Sequence, residues 1–236
     1  MHPKYFRVGV RTTFLAAFVL MFAAFASAAT EQILHSFTGG TDGSQPTSGL
    51  TFDHAGNLYG VTFFGGSGKG VVYKLSHTYS GWQQTVVHTF QGGSTDGANP
   101  DANLLIDSAG NIYGTTIGGG TSNAGVAFEL TPSQGGWTET LLFSFSLSSG
   151  SPSSGLIIDH AGNLYGETSG GGKSNDGTVY ILKHTATGWS HGILYSFSFA
   201  GGNDGIFPSG GLIFDRAGNL YGTTLSGGGF ANFGSL

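Results

Sequence analysis

Asp53-His54-Ala55-Gly56-Asn57-Leu58-Tyr59-Gly60 decides the fold of this chain, because it occurs four times. It returns as Asp107-Ser108-Ala109-Gly110-Asn111-Ile112-Tyr113-Gly114 and as Asp159-His160-Ala161-Gly162-Asn163-Leu164-Tyr165-Gly166. The last copy is Asp215-Arg216-Ala217-Gly218-Asn219-Leu220-Tyr221-Gly222, and the Asp-to-Asp steps are 54, 52 and 56 residues. Self-similarity at that period is the mark of propeller blades or repeat arrays. Within the octet, Asp opens a turn and its carboxylate can accept backbone N–H groups two residues on. Gly56 supplies a positive φ in a tight hairpin. Leu58 and Tyr59 then point to opposite faces of a strand, one to the core and one to a neighbouring blade. Gly60, with no side chain, permits close approach of an adjacent sheet.

Outward from each octet the same four strand-like runs recur. In the first repeat they are Gly49–Phe52, Asn57–Thr62, Val71–Leu75 and Gln84–Phe90, and Gly, Asn, Asp and Ser punctuate them. They are short, β-branched and aromatic-rich. Short connections join the four runs, and a longer link such as 91–103 steps to the next repeat. The expected fold is all-β: a β-propeller-like array of four-stranded antiparallel blades, with three complete repeats and a truncated fourth. The run Ile33-Leu34-His35-Ser36-Phe37 matches the fourth-strand class and is expected to complete the last blade, closing the ring. Two other arrangements remain open: a piece of a longer array, and a linear β solenoid.

Residues 1–28 read as a signal peptide. Lys4, Arg7 and Arg11 form a positive head, Phe14–Phe25 an apolar segment, and Ala26-Ser27-Ala28 a cleavage site. The apolar segment is shorter than a membrane span requires. Residues 29–236 form a single repeat domain, with repeats at about 31–82, 83–137, 138–189 and 190–236. The expected location is exported, whether extracellular, cell-surface or periplasmic, with no membrane span in the mature chain. Three of the eight Lys and Arg lie in the first 28 residues, leaving five against thirteen acidic side chains, a net charge of −8. The remaining cations are scattered, which excludes a nucleic-acid binder. The absence of cysteine excludes disulfides, thiolate metal sites and Cys nucleophiles.

Candidate site residues are few. Asp42, Asp96 and Asp204 each stand before a Gly and, three residues beyond it, a Pro in the long links, and the third repeat has Ser149 instead. These links are expected to be turns that gather on one face, where ligands bind. Glu167 is the irregularity of the second run, where other repeats carry Val61, Thr115 and Thr223. It has no identifiable acid–base partner, so no catalytic residue is assigned. The octet aspartates lack the alternating acidic series and terminal Glu of a calcium loop. No metal site or cofactor is expected, Ca2+ being the one ion these carboxylates would suit. His35 and His88 share a strand position with Phe143 and Tyr195, which points to packing rather than ligation. Trp82, Trp137 and Trp189 read as hairpin caps rather than a sugar-stacking row. The Gly-rich stretches lead into no helix and are not phosphate loops.

The motif Asp-x-Ala-Gly-Asn-Leu-Tyr-Gly-x-Thr, the Gly loop, the Val-Phe/Tyr-x-Leu run and the Gly-Trp…Ser/Thr-Phe run together resemble the GloVer (Gloeo-Verruco) tandem repeat across residues 31–236. The resemblance implies an exported bacterial repeat protein of β-propeller-like build. It supplies no catalytic residues. The expected function is a non-enzymatic scaffold at the cell surface that binds a protein or glycan. The alternative is a propeller-type enzyme acting on a carbohydrate or lactone, which requires several carboxylates to converge in one pocket.

Overall fold

Alternating apolar runs and Asp-led turns build seventeen strands in the computed structural model, which describes residues 31–200, 203–229 and 234–235. The described residues contain no helix, and so none long and apolar enough to cross a membrane. The signal peptide expected at 1–28 lies outside the described residues. Leu34–Leu236 is one compact unit; of the unit before it, Met1–Ile33, only 31–33 are described, and they form no strand.

The first blade is a meander of β1 (Thr51–Phe52), β2 (Leu58–Thr62), β3 (Val71–Thr78) and β4 (Gly81–Thr89), each paired antiparallel with the next. The second contains β5 (Gly97–Pro100), β6 (Leu105–Ile106), β7 (Ile112–Gly119), β8 (Val126–Ser133) and β9 (Gly136–Ser144). The third is β10 (Ile157–Ile158), β11 (Leu164–Thr168), β12 (Thr178–Thr185) and β13 (Gly188–Ser196). In the fourth, β14 (Gly205–Pro208) pairs with β17 (Thr224–Gly227), and β15 (Ile213–Phe214) pairs with β16 (Leu220–Tyr221). The architecture is therefore all-β and propeller-like. The sequence-repeat boundaries near 82, 137 and 189 fall inside β4, β9 and β13, so the sheets are offset from the sequence period.

Each octet is a hairpin tip. Asp53 Oδ1 accepts from the backbone N–H of Ala55 (2.9 Å) and Asn57 (2.8 Å), and Oδ2 accepts from Asn57 Nδ2 (2.7 Å) and Tyr59 OH (3.2 Å). Asp107, Asp159 and Asp215 repeat all four bonds. The octet Leu and Tyr serve opposite junctions. Tyr59 joins the core between blades one and two, with Phe90, Ile112 and Phe128. Tyr113 joins the core between blades two and three, with Phe145, Leu164 and Tyr180. The octet Gly pairs across the sheet with an aromatic residue: Gly60 with Tyr73, Gly114 with Phe128 and Gly166 with Tyr180.

Two sequence expectations are corrected. The long links are not plain turns. β5 pairs with the far end of β7 while β6 pairs with its near end, so the innermost strand is split around 101–104. Blades one and three keep a single bridge at that place, Ser44 with Phe64 and Pro152 with Thr168. The run 33–37 forms no strand and completes no blade. Leu34 and Phe37 instead pack on Leu58, Val71, Tyr73 and Leu75, covering the first blade's outer face. Burying that face against apolar side chains needs no backbone ladder.

Candidate functional site

Adjacent blades meet through three side-chain positions that vary from junction to junction. One comes from the fourth strand of the earlier blade, two residues before its terminal Phe. The second immediately precedes the Gly that opens the next blade. The third lies on the later blade's own fourth strand, opposite Leu75, Leu130 or Leu182 of its third. In front of blade one the set is His35, Asp42 and Gln84; His35 Nε2 lies 3.3 Å from Asp42 Oδ2, and Gln84 Nε2 donates to Asp42 O (3.1 Å). Between blades two and three it is Phe143, Ser149 and His191, with Phe143 and His191 stacked at 4.3 Å and 9°. Between blades three and four, Tyr195 OH donates to Asp204 Oδ2 at 3.0 Å.

The junction between blades one and two is different. His88 on β4, Asp96 before β5 and Glu139 on β9 bring ligating atoms within 4.8 Å of one another. His88 Nε2 is 3.6 Å from Asp96 Oδ1 and 3.7 Å from Glu139 Oε2. Neither separation is a hydrogen bond. His88 Nε2 and Glu139 Oε1 are buried with no hydrogen-bond partner. Asp96 is fixed from behind: Gln91 N–H donates to Oδ2 and Gly97 N–H to Oδ1, both at 2.6 Å. Burial pushes the Glu139 carboxyl up to about 7, with His88 opposing that rise and Asp96 adding to it. Burial also acts on Asp96, but His88, Gln91 and Gly97 outweigh it and hold that carboxyl below its ordinary value. His88 thus packs edge-on against Phe90 (4.6 Å), as its position class implied, while its nitrogen faces two carboxylates. Glu139 carries no sequence signal of its own, because Thr138-Glu139-Thr140 reads as a solvent face; comparing aligned junction positions could have found it.

The sequence candidates are distributed rather than gathered. Asp42 and Asp96 sit at successive junctions, and Thr38 donates to both oxygens of Asp42, which lies below its ordinary pKa mainly through the Thr38 hydroxyl. Asp204 and Glu167 do share the wall of a cavity of about 430 Å3, with Tyr195, Phe197 and Tyr221. Glu167 is buried and accepts from Gly211 N–H (2.9 Å), tying β11 to the fourth blade. Burial raises its pKa against that bond and Ser154. Thr115, at the same position in β7, makes the corresponding tie to Ser154 O (3.0 Å). The octet aspartates have both oxygens filled by turn donors. Trp137 reaches beyond its own hairpin to Tyr59 of the previous blade (6.4 Å).

A second cavity, of about 410 Å3, lies where the split innermost strands of all four repeats converge. Equivalent segments around Ser48, Ala102, Ser154 and Gly210 line it, and Asp101 is its one ionisable side chain among the described residues. Inter-blade bonds shape its wall: Asn103 Oδ1 accepts from Gly49 N–H (2.6 Å), Thr51 Oγ1 donates to Leu104 O (2.6 Å), and Ser153 Oγ donates to Pro208 O (2.6 Å).

Sheets built on a repeated Asp-led hairpin, packed face to face around a shared polar cavity, define a propeller-like tandem-repeat protein. The chain belongs to the Gloeobacter/Verrucomicrobia repeat family, whose sequence profile matches residues 20–236. No curated protein matches the chain.

Proposed function

We propose that the chain is an exported, non-enzymatic scaffold that binds a neutral glycan at the cavity where its four repeats converge. The observation that supports this reading is the lining of that cavity. It offers Ser and Thr hydroxyls, the Asn103 amide and backbone groups, with Asp101 as the one carboxylate and no cation among the described residues. Sugar hydroxyls need such donors and acceptors, and the volume falls in the range of small-ligand sites. A lone carboxylate supplies no acid–base pair for glycosidic cleavage. The positive head, apolar segment and Ala26-Ser27-Ala28 site support export.

A second reading keeps the carbohydrate- or lactone-directed enzyme. It is favoured by Glu167 and Asp204 on one cavity wall, with the Glu167 carboxyl raised by burial. Titration of the full chain with soluble oligosaccharides of glucose, xylose and mannose, with chromatography of the recovered sugar, separates the two. The scaffold reading expects saturable binding, intact sugar, weakening by at least about fivefold (about 1 kcal/mol) in Asp101→Ala and loss in Thr47→Trp. Binding indifferent to both substitutions would move the site elsewhere. Cleaved sugar, abolished by Glu167→Gln, would establish the enzyme instead.

A further inference from the structure

We infer that His88, Asp96 and Glu139 form a binding site for a divalent transition-metal ion of the zinc class, which staples blade one to blade two. One imidazole nitrogen and two carboxylate oxygens are a donor set that zinc accepts, with water completing four-coordination. Tetrahedral bonds of about 2.0–2.1 Å place neighbouring ligand atoms about 3.3–3.4 Å apart. Two edges of the tripod already measure 3.6 and 3.7 Å, and all three atoms lie within 4.8 Å. Side-chain rotations of a few tenths of an ångström bring those two edges to bonding geometry. The imidazole favours zinc-like ions over the all-oxygen coordination that calcium takes.

Three further observations point to a ligand. First, His88 Nε2 and Glu139 Oε1 are buried without partners, and an unmet buried polar atom is costly. Second, Asp96 is oriented by two backbone donors, the kind of outer support that sets ligands in place, while His88 packs edge-on against the Phe90 ring. Third, the fold does not require a carboxylate at the Glu139 position. The equivalent positions on the fourth strands of blades one and three hold Gln84 and His191, in sheets built alike. The tripod draws its ligands from both blades, so a bound ion cross-links them in a chain that has no cysteine.

The test uses the full chain, free of any polyhistidine tag, dialysed against a chelator and titrated with zinc chloride in a calorimeter. One zinc per chain is expected, with a rise in melting temperature of about 5–10 °C at a hundredfold excess over Kd. Calcium chloride at the same concentration should give a smaller rise. Glu139→Gln installs the residue that blade one carries at Gln84, and His88→Phe installs the residue found at Phe143, so both suit the fold. Each should abolish stoichiometric binding and the thermal shift, while His54→Ala, at an exposed turn, should change neither. The inference is overturned if the wild-type chain shows no saturable zinc binding, if both substitutions leave binding intact, or if calcium stabilises more than zinc.

Discussion

Gly114→Ala tests the packing rule that the octet imposes. A Cβ at this position would lie 2.5 Å from Phe128 Cζ, 2.9 Å from its Cε1 and 2.9 Å from Leu104 Cδ2. Relaxed carbon contacts are about 3.5–4.0 Å, so the ring would have to move by about 1 Å. Phe128 is fully buried, with Phe90 edge-on at 5.2 Å, and has no open side to move toward. Gly114 lies outside the left-handed region, so the penalty is steric and not torsional. Overpacking of this kind costs about 1–3 kcal/mol. The lower unfolded-state entropy of Ala returns about 0.4–1 kcal/mol. A net loss of about 1–2 kcal/mol is expected, a fall in melting temperature of roughly 2–8 °C for a domain of this size. Urea unfolding followed by tryptophan fluorescence, with calorimetry alongside, measures it. Gly135→Ala is the control, since a Cβ there meets nothing within 4 Å, and should stay within about 0.5 kcal/mol of wild type. Adding Phe128→Leu should offset part of the Gly114→Ala loss, a coupling of about 1 kcal/mol. A Gly114→Ala chain as stable as Gly135→Ala, or strictly additive behaviour in the double variant, would refute the close approach as the reason for this glycine.

Asp159→Ala removes the acceptor of four bonds in the third octet. Because solvent reaches this carboxylate, the loss should be about 1–2 kcal/mol rather than the sum for buried charged bonds; denaturant midpoints would show it, and a change under 0.3 kcal/mol would contradict the turn-forming role. Glu167→Gln should change how stability depends on pH. Burial raises the folded carboxyl above its ordinary 4.5, so above that pH the folded state holds the proton more tightly than the unfolded one. Stability of the wild type therefore falls as pH rises from 4.5 through the folded pKa. The Gln variant should be the more stable at pH 8, by a margin that vanishes below 4.5. Unfolding curves across that range would sink the idea if the margin did not vary with pH.

What the sequence made legible is what local physics determines. The Asp-led turn, the two faces of Leu58 and Tyr59, and the hairpin order of the four runs all follow from contacts within a few residues or from the period of two. The split inner strand was hidden because Gly97-Ala98-Asn99-Pro100 has poor strand propensity, and Asn99 adopts a φ of 56°. It pairs because Asn99 N–H donates to Lys69 O of the previous blade (2.7 Å) and Asn99 Nδ2 to Phe63 O (3.0 Å), contacts that no local pattern encodes. The run 33–37 matched the fourth-strand pattern correctly as chemistry, but a pattern does not say whether its backbone will be paired. Of the candidate residues, Asp96 was legible from the link motif. Its partner Glu139 was not, because alternation with Thr138 and Thr140 is also how an ordinary solvent face looks.

The aromatic contacts show which unit the chain actually repeats. Phe90 meets Phe128 at 5.2 Å and 68°, and Phe145 meets Tyr180 at the same distance and angle. Phe37, which belongs to no strand, meets Tyr73 at 5.0 Å and 68°. The segment around His35, Phe37 and Asp42 therefore presents to blade one what β4 and its link present to blade two. The element that propagates is the junction: a terminal Phe over a third-strand aromatic, beneath three positions free to change. The octet must stay constant because four bonds and two packed faces depend on each copy. The three junction positions need only fill space and satisfy their polar atoms, so one junction can hold an amide, the next a His with two carboxylates, and the next a stacked aromatic pair. Chemical individuality in this fold accordingly belongs between the blades and at the cavity where their inner strands split, and not in the motif that makes the repeat recognisable.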